Sequence, residues 1–343
     1  MECPSQSHAS LRGRFETKAL LFFVSFVVVI FTISGRLQSS ESSVPNVLVV
    51  LGASGEVDYG DQFRVWGKRW KDAFGDGATE VIDGTSTSSP GADEKNDRQR
   101  TLDWISNTHA KESDETRTYW LVLIGHGTND RTGAKFNLRG PDLSDVEISN
   151  ALNGTRHRWI IVNCSSSSGP FLSTLSGINR VVITATKSGA EQNFSRFGDY
   201  FSEAMLDPST DLDHDTSISV LEAFLSASNR VARFYVDDSR LASEQSLLDD
   251  NADRKGTPAV FFRGLRPVKA PADGLKLDGS LASRVLIRSL GERKERNADQ
   301  TLKIEQLQAE VELLRTKKSE MDIDEYYAAL EKLLLELAGH LVD

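Results

Sequence analysis

The sequence is poor in cysteine: Cys3 and Cys164 stand alone in 343 residues. One pair cannot staple a disulfide-dense secreted scaffold, nor complete a cysteine-rich zinc module. No HExxH, GxSxG or Cys-x-x-Cys motif occurs, which counts against zinc peptidases, α/β-hydrolases and thioredoxin-like redox proteins. Basic residues are in deficit, with 40 Lys+Arg against 50 Asp+Glu and a net charge of -10. That balance leaves little for the basic face that a phosphate backbone needs, so no nucleic-acid partner is expected. With 25 Gly, 9 Pro and no long polar repeat, collagen-like structure and wholesale disorder are excluded as well.

Long apolar runs are scarce, and the single one lies at residues 19–33, with LLFFVSFVVVIF at its centre. Arg12, Arg14 and Lys18 precede it, and the small pair Ser34-Gly35 follows. This pattern reads as an export signal or, if uncleaved, as a single membrane anchor over residues 1–35. Both readings put the rest of the chain outside the cytoplasm, in a periplasmic or extracellular space. Residues 36–45, which contain QSSESS, form a polar spacer. Cys3 belongs to the leader, which leaves Cys164 as a lone thiol, either buried or reactive.

From residue 46 to 264, short runs rich in Val, Ile and aromatics alternate with stretches of helical spacing. The strand candidates are 46–51 (NVLVVL), 79–82, 119–124 (YWLVLI), 159–163 (WIIVN), 181–186 (VVITAT) and 259–262 (AVFF). Helices are expected over 61–74, 97–108, 144–152, 171–175, 196–205 and 217–235. Runs this continuous fit strands buried on both faces, and strand–helix alternation predicts an α/β fold. The expected architecture is an open, mainly parallel six-stranded sheet with helices on both faces.

Residues 265–290 read as a connector, and 291–343 as a C-terminal helical hairpin. Ile304, Leu307, Val311, Leu314 and Met321 follow heptad spacing, broken by Lys318, and Asp322-x-x-Glu325 can cap a second helix carrying Tyr326, Leu330, Leu333, Leu337 and Leu341. The hairpin either docks on its own domain or self-associates with a second copy.

In an open parallel sheet, sites form at the carboxyl ends of the strands. The loops delivered there begin Gly125-His126-Gly127, Cys164-Ser165-Ser166-Ser167-Ser168-Gly169 and Lys187-Ser188-Gly189. Gly52-Ala53-Ser54-Gly55, after the first strand, only faintly resembles a phosphate loop, since it lacks GxGxxG and GxxxxGK[ST]. A cysteine nucleophile needs a base for its proton and donors for the developing oxyanion. His126, Cys164 and the backbone of Gly127 are the residue types that chemistry requires, each just past a strand end. The alternative is that a lone His and a lone Cys at strand ends are structural.

LVLIGHG, a crossover of roughly forty residues, a strand ending IVNCSSSSG and a following VVITAT together resemble the caspase-haemoglobinase fold. The likeness is to its legumain-like C13 cysteine peptidases and their bacterial relatives, and it covers residues 46–262. FNLRGPDLS, RFGDYFSEAM, ISVLEAF, LLDDNADRKGT and DEYYAALEKLLLELA are similar to bacterial sequences of that group. The resemblance implies His126 as base or charge-setting partner, Gly127 as an oxyanion donor, and hydrolysis of a peptide or protein substrate through a His-Cys dyad. It leaves two registers for the nucleophile. Legumain-like enzymes carry Glu-Ala-Cys-x-Ser-Gly, and three residues before Gly169 stands Ser166; the strand end instead aligns Cys164. A serine there lacks a visible carboxylate to orient His126, so an inactive relative that binds a protein partner competes with the endopeptidase. Lys187, Glu191 and Gln192 are candidate pocket residues.

One further motif is acidic. Asp211, Asp213, Asp215, Ser217, Ser219 and Glu222 occupy positions 1, 3, 5, 7, 9 and 12 of an EF-hand-like loop, a hard-oxygen set suited to calcium. Thr216 stands where such loops have glycine. The alternative is a solvated acidic cap on the following helix. Residues 249–253 form a second acidic cluster with no matching glutamate.

Overall fold

The computed structural model describes residues 46–86, 95–109, 116–270, 272, 277–291, 298–318 and 320–342. The leader over 1–35 and the spacer over 36–45 lie outside the described residues. No helix among the described residues is long and apolar enough to cross a membrane.

The apolar runs become a six-stranded sheet. Its strands are β1 (Val47–Leu51), β2 (Thr79–Asp83), β3 (Thr118–Ile124), β7 (Arg158–Asn163), β8 (Arg180–Thr184) and β10 (Leu247–Asp249), in the order β10-β8-β7-β3-β1-β2. All neighbours pair parallel except β10, which runs antiparallel to β8. β1 is buried at every position because both faces of the sheet are covered. Successive side chains alternate between two cores. Val47, Val49, Leu51, Trp120, Val122, Ile124, Ile160 and Val162 face one, and Leu48, Val50, Tyr119, Leu121, Leu123, Trp159 and Ile161 face the other.

Helices α1 (Val57–Phe74), α5 (Phe197–Ala204) and α6 (Val220–Asp237) cover the first core with Phe63, Trp66, Trp70, Phe197, Phe201 and Phe224. Helices α2 (Asp97–His109), α3 (Asp145–Ala151) and α4 (Gly169–Leu175) cover the second with Ile105, Ile148, Phe171, Leu172 and Leu175. The fold is therefore α/β, with helices on both faces of a mostly parallel sheet.

Three features differ from the sequence expectation. The sixth strand is Leu247–Asp249, not 259–262; Ala259–Phe261 form a 3-10 turn after Pro258, and Val260 is 82% exposed. Proline removes a ladder donor at that point and favours the turn. A small antiparallel sheet of β4 (Gly127–Asp130), β5 (Gly133–Phe136) and β6 (Leu143–Ser144) grows directly from His126. The connector carries β13 (Leu286–Ser289), which pairs antiparallel with β9 (Ser217–Ser219) inside the acidic loop, while Ala282, Val285 and Ile287 join the first core. The short strands β11 (Phe262–Arg263) and β12 (Arg266–Pro267) close a turn between them.

Beyond the connector lie α7 (Ala298–Thr316) and α8 (Ile323–Val342). Asp322 Oδ1 accepts the Asp324 and Glu325 N–H groups at the start of α8. Lys303 of α7 pairs with Glu336 of α8 at 2.8 Å, and Ile304, Leu307, Val311 and Tyr326 are buried.

Candidate functional site at the carboxyl ends of β3, β7 and β8

His126 follows β3 by two residues, and the following β4–β5 hairpin fixes its backbone. The Asn137 N–H donates to the His126 carbonyl at 3.0 Å, and the Asn137 carbonyl accepts from Ala53 N at 3.0 Å. Gly125 packs tightly here, since a Cβ would stand 3.1 Å from the Phe136 ring and 3.2 Å from the Gly52 Cα. The imidazole lies among Tyr59, Phe63 and Phe194, with ring centroids at 5.0, 5.4 and 6.1 Å, all edge-on. Its Nε2 is 3.2 Å from the Ser54 carbonyl, which can only accept, so in the neutral ring the proton sits on Nε2 and Nδ1 is the free acceptor. Burial holds the His126 pKa below the ordinary histidine value, and the Ser54 hydrogen bond offsets part of that. Among the described residues no carboxylate orients the ring in the manner of a Ser-His-Asp triad.

Cys164 continues the alternation of β7. Ile160 and Val162 face the first core, and so does Cys164, which is 1% exposed. A Cβ on Gly198 would stand 2.8 Å from the Cys164 Cβ, so helix α5 presses directly on the cysteine. Burial drives the thiol pKa far above its ordinary value, and the negative charge of Glu244 pushes it further the same way. Its backbone N–H donates to the Leu123 carbonyl at 2.8 Å, and among the described residues no hydrogen bond joins the thiol to His126.

It is Ser166, not Cys164, that meets the histidine loop. The Gly127 N–H donates to Ser166 Oγ at 3.2 Å, and the Ser166 hydroxyl returns a bond to the Gly127 carbonyl at 3.2 Å. A Cβ at Gly127 would collide with the Ser166 carbonyl and approach Ser165 Oγ to 2.7 Å, so the two loops meet backbone to backbone.

Most of the serine run is engaged as well, except the Ser167 hydroxyl, which is buried without a hydrogen-bond partner among the described residues. Asn163 Oδ1 accepts from Ser165 N (3.0 Å) and Ser165 Oγ (2.7 Å). Ser167 takes a left-handed φ of 53° and donates its N–H to the Glu191 carbonyl at 2.8 Å. Thr186 Oγ1 receives the Gly169 N–H at 3.0 Å, and Ser168 Oγ receives the Thr186 N–H at 3.1 Å. The backbone donors of Gly127, Ser165, Ser167 and Gly169 therefore already have protein acceptors; none is presented to an oxyanion.

Of the candidate pocket residues, Lys187 and Glu191 pair with each other and with the segment before β10, whereas the Gln192 N–H donates to the Ala190 carbonyl. Glu191 Oε2 accepts from Lys187 N at 2.9 Å and Gln245 N at 3.3 Å, while Lys187 Nζ donates to Gln245 Oε1 at 2.8 Å. Behind them Glu244, 3% exposed, accepts from Ser195 Oγ (2.6 Å), Arg196 N (3.0 Å), Phe197 N (3.2 Å) and Tyr235 OH (3.2 Å). Sequence reasoning missed Phe194 and Glu244, which come from irregular segments without periodicity. Tyr59, Phe63, Trp66 and Trp70 did carry a signal: their spacing of four, three and four places them on one face of α1.

The acidic loop is partly assembled. Asp211, Asp213 and Asp215 bring one carboxylate oxygen each to within 4.8 Å of one another. His214 and Thr216 have φ of 61° and 67°, so Thr216 makes the tight turn that glycine usually makes at this position. The Asp215 N–H donates to Asp211 Oδ1 (3.1 Å), and Ser217 N and Oγ donate to Asp215 Oδ1 (2.8 and 2.6 Å). Ser219 and Glu222 do not join this group. They form a capping box on α6, and Glu222 Oε1 accepts from Leu212 N at 2.8 Å. The pKa of Asp213 is raised, first by burial and then by the charges of Asp215 and Asp211.

No family model matches the chain, and no curated protein matches it.

Proposed function

We propose that the chain is a caspase-like, legumain-related domain that has lost thiol catalysis and acts as a calcium-stabilised protein-binding or scaffold module outside the cytoplasm. The observation that carries this reading is the setting of Cys164: 1% exposed, on the core face beneath Gly198, its thiol held protonated and not hydrogen-bonded to His126. The adjacency of β3 and β7, with His126 and the serine run at one rim, supports the caspase-like assignment within the α/β class. Of the two registers that the resemblance leaves for the nucleophile, the one set by Gly169 puts Ser166 there, and the bonds of Ser166 to Gly127 favour it. A serine hydroxyl with a half-buried, carboxylate-free histidine nearby is a poor nucleophile at neutral pH.

Calcium enters through Asp211, Asp213 and Asp215, with Ser217 beside them. The ion would relieve the mutual repulsion of three carboxylates, and Ser219 and Glu222 would have to leave the capping box to serve as ligands. The two C-terminal helices, read as a hairpin, supply a further surface for a partner.

A peptide library incubated with the full-length chain in millimolar calcium tests the reading. The expected result is no cleavage that depends on Cys164 or Ser166. Turnover abolished by Cys164→Ala would restore the cysteine endopeptidase, and turnover abolished only by Ser166→Ala would make it a serine enzyme. Melting curves with and without calcium test the loop: stabilisation is expected and is lost in Asp213→Asn, whereas no shift at millimolar calcium rejects the site.

A further inference from the structure

The six residues that open the EF-hand-like loop have a structural counterpart. Asp211-Leu-Asp213-His-Asp215-Thr and Asp249-Asp-Asn251-Ala-Asp253-Arg share the pattern Asp-x-(Asp/Asn)-x-Asp-x. In both, the fourth and sixth residues are left-handed: His214 and Thr216 at 61° and 67°, Ala252 and Arg254 at 66° and 65°. The local hydrogen bonds repeat as well. The fifth residue donates its N–H to the third side chain, at 3.3 Å from Asp215 to Asp213 and 2.9 Å from Asp253 to Asn251. The seventh donates to the fifth, at 2.8 Å from Ser217 to Asp215 and 2.8 Å from Lys255 to Asp253. No glutamate follows at the twelfth position, where Val260 stands, so sequence spacing alone undervalues the second loop.

An independent observation concerns burial. Asp249 is 1% exposed; its Oδ1 accepts from Ala252 N at 3.2 Å, and its Oδ2 is buried with no hydrogen-bond partner. Asp253 Oδ2 is also buried without a partner. The charges of Asp253, Asp250 and Asp278 bear on Asp249, all negative, and the Ser176 hydroxyl and the Ala252 N–H are the dipoles that oppose them. Nearby Asp250 is otherwise provided for, by the N–H groups of Gly279 (2.9 Å), Leu281 (2.7 Å) and Ala282 (2.8 Å) and by the charge of Arg284. Asp278 accepts from Asp250 N and Thr257 Oγ1. Two buried carboxylate oxygens without hydrogen-bond partners in one short loop are costly unless a cation or protons neutralise them.

We propose that the 249–255 loop is a second divalent-cation site, in which the side-chain oxygens of Asp249, Asn251 and Asp253 bind calcium. The donors are all hard oxygens, which suits calcium and disfavours zinc or copper. Bound there, the ion ties the antiparallel edge strand β10 to the turn after it. Through Asp250, the same turn reaches the connector at residues 279–282.

Calcium binding to the chelator-stripped full-length chain, measured by equilibrium dialysis, tests the site. The expected stoichiometry is about two ions per chain, falling by one in Asp253→Ala, by one in Asp215→Ala, and to none in the double variant. If the EF-hand-like loop does not bind, the wild type takes one ion and Asp253→Ala takes none, which supports the second site and rejects the first. An Asp253→Ala chain that melts cooperatively and binds as much calcium as the wild type overturns the proposal. Asn251→Ala, which removes a ligand without removing charge, is expected to weaken the same site at least tenfold; unchanged affinity there also overturns it. Saturation by magnesium at equal concentration overturns the assignment to calcium.

Discussion

The hydroxyl of Ser166 lies 3.2 Å from both the N–H and the carbonyl of Gly127, so a single side chain closes the rim where the third and seventh strands deliver their loops. Removing that hydroxyl strands a buried amide. Ser166→Ala is expected to cost about 1–3 kcal/mol in chemical denaturation, the usual penalty for an unsatisfied buried donor. Gly127→Ala, whose Cβ collides with the Ser166 carbonyl, is expected to cost about as much through overpacking. A neutral result for both variants would mean that the two loops do not meet as described.

His126 is expected to titrate below the ordinary histidine range, because burial outweighs its bond to Ser54. Its folded pKa lies below the unfolded one, so the stability it contributes is full above the unfolded value and declines as pH falls through the folded value. Nitrogen chemical shifts across pH check both points, with the proton expected on Nε2 at neutral pH. An elevated pKa would imply an anion beside His126 that is not found among the described residues.

Glu244 shows the opposite sign. Burial raises its pKa against the pull of Ser195, Arg196, Phe197 and Tyr235. A carboxyl that binds its proton more readily when folded stabilises fully below the ordinary glutamic acid range, and that contribution is lost as pH rises through the raised value. Stability measured against pH is expected to fall over that window in the wild type and to flatten in Glu244→Gln. A steeper slope in the variant would contradict the assignment.

Thr216 carries a β-branched side chain at a φ of 67°, a conformation that L-residues adopt at a cost of about 1–2 kcal/mol. Thr216→Gly removes that strain but loosens the unfolded chain by about 0.5–1 kcal/mol. The expected net gain is about 0.5–1 kcal/mol in urea unfolding. A loss would show that contacts of the threonine side chain outweigh its backbone strain.

The central strands were legible because Val47–Leu51, Tyr119–Ile124 and Trp159–Val162 are continuous apolar runs, which only a sheet covered on both faces explains. The edge strand was not. Leu247–Asp249 is three residues long and ends in a carboxylate, whereas the more apolar 259–262 follows a proline and turns. At the site, the sequence placed His126 and Cys164 just past two strand ends, and those strands are neighbours, but the orientation of Cys164 depends on strand parity carried one residue past β7. Ile160, Val162 and Cys164 share a face, and α5 covers it through Gly198, a contact between segments far apart in sequence. The β4–β5 hairpin was invisible for a related reason: Gly127–Asp130 is polar and without an apolar alternation, and it is held by pairing with β5 and by the bonds of Gly127 to the serine loop.

The most direct test of the account is the reactivity of Cys164 in the native full-length chain. A small alkylating agent is applied from neutral to alkaline pH, and peptide mapping separates Cys164 from Cys3. The account predicts that Cys164 stays unmodified until the protein is denatured, with no change in His126→Ala. Rapid modification at neutral pH that slows in His126→Ala would contradict it and establish a working His-Cys dyad.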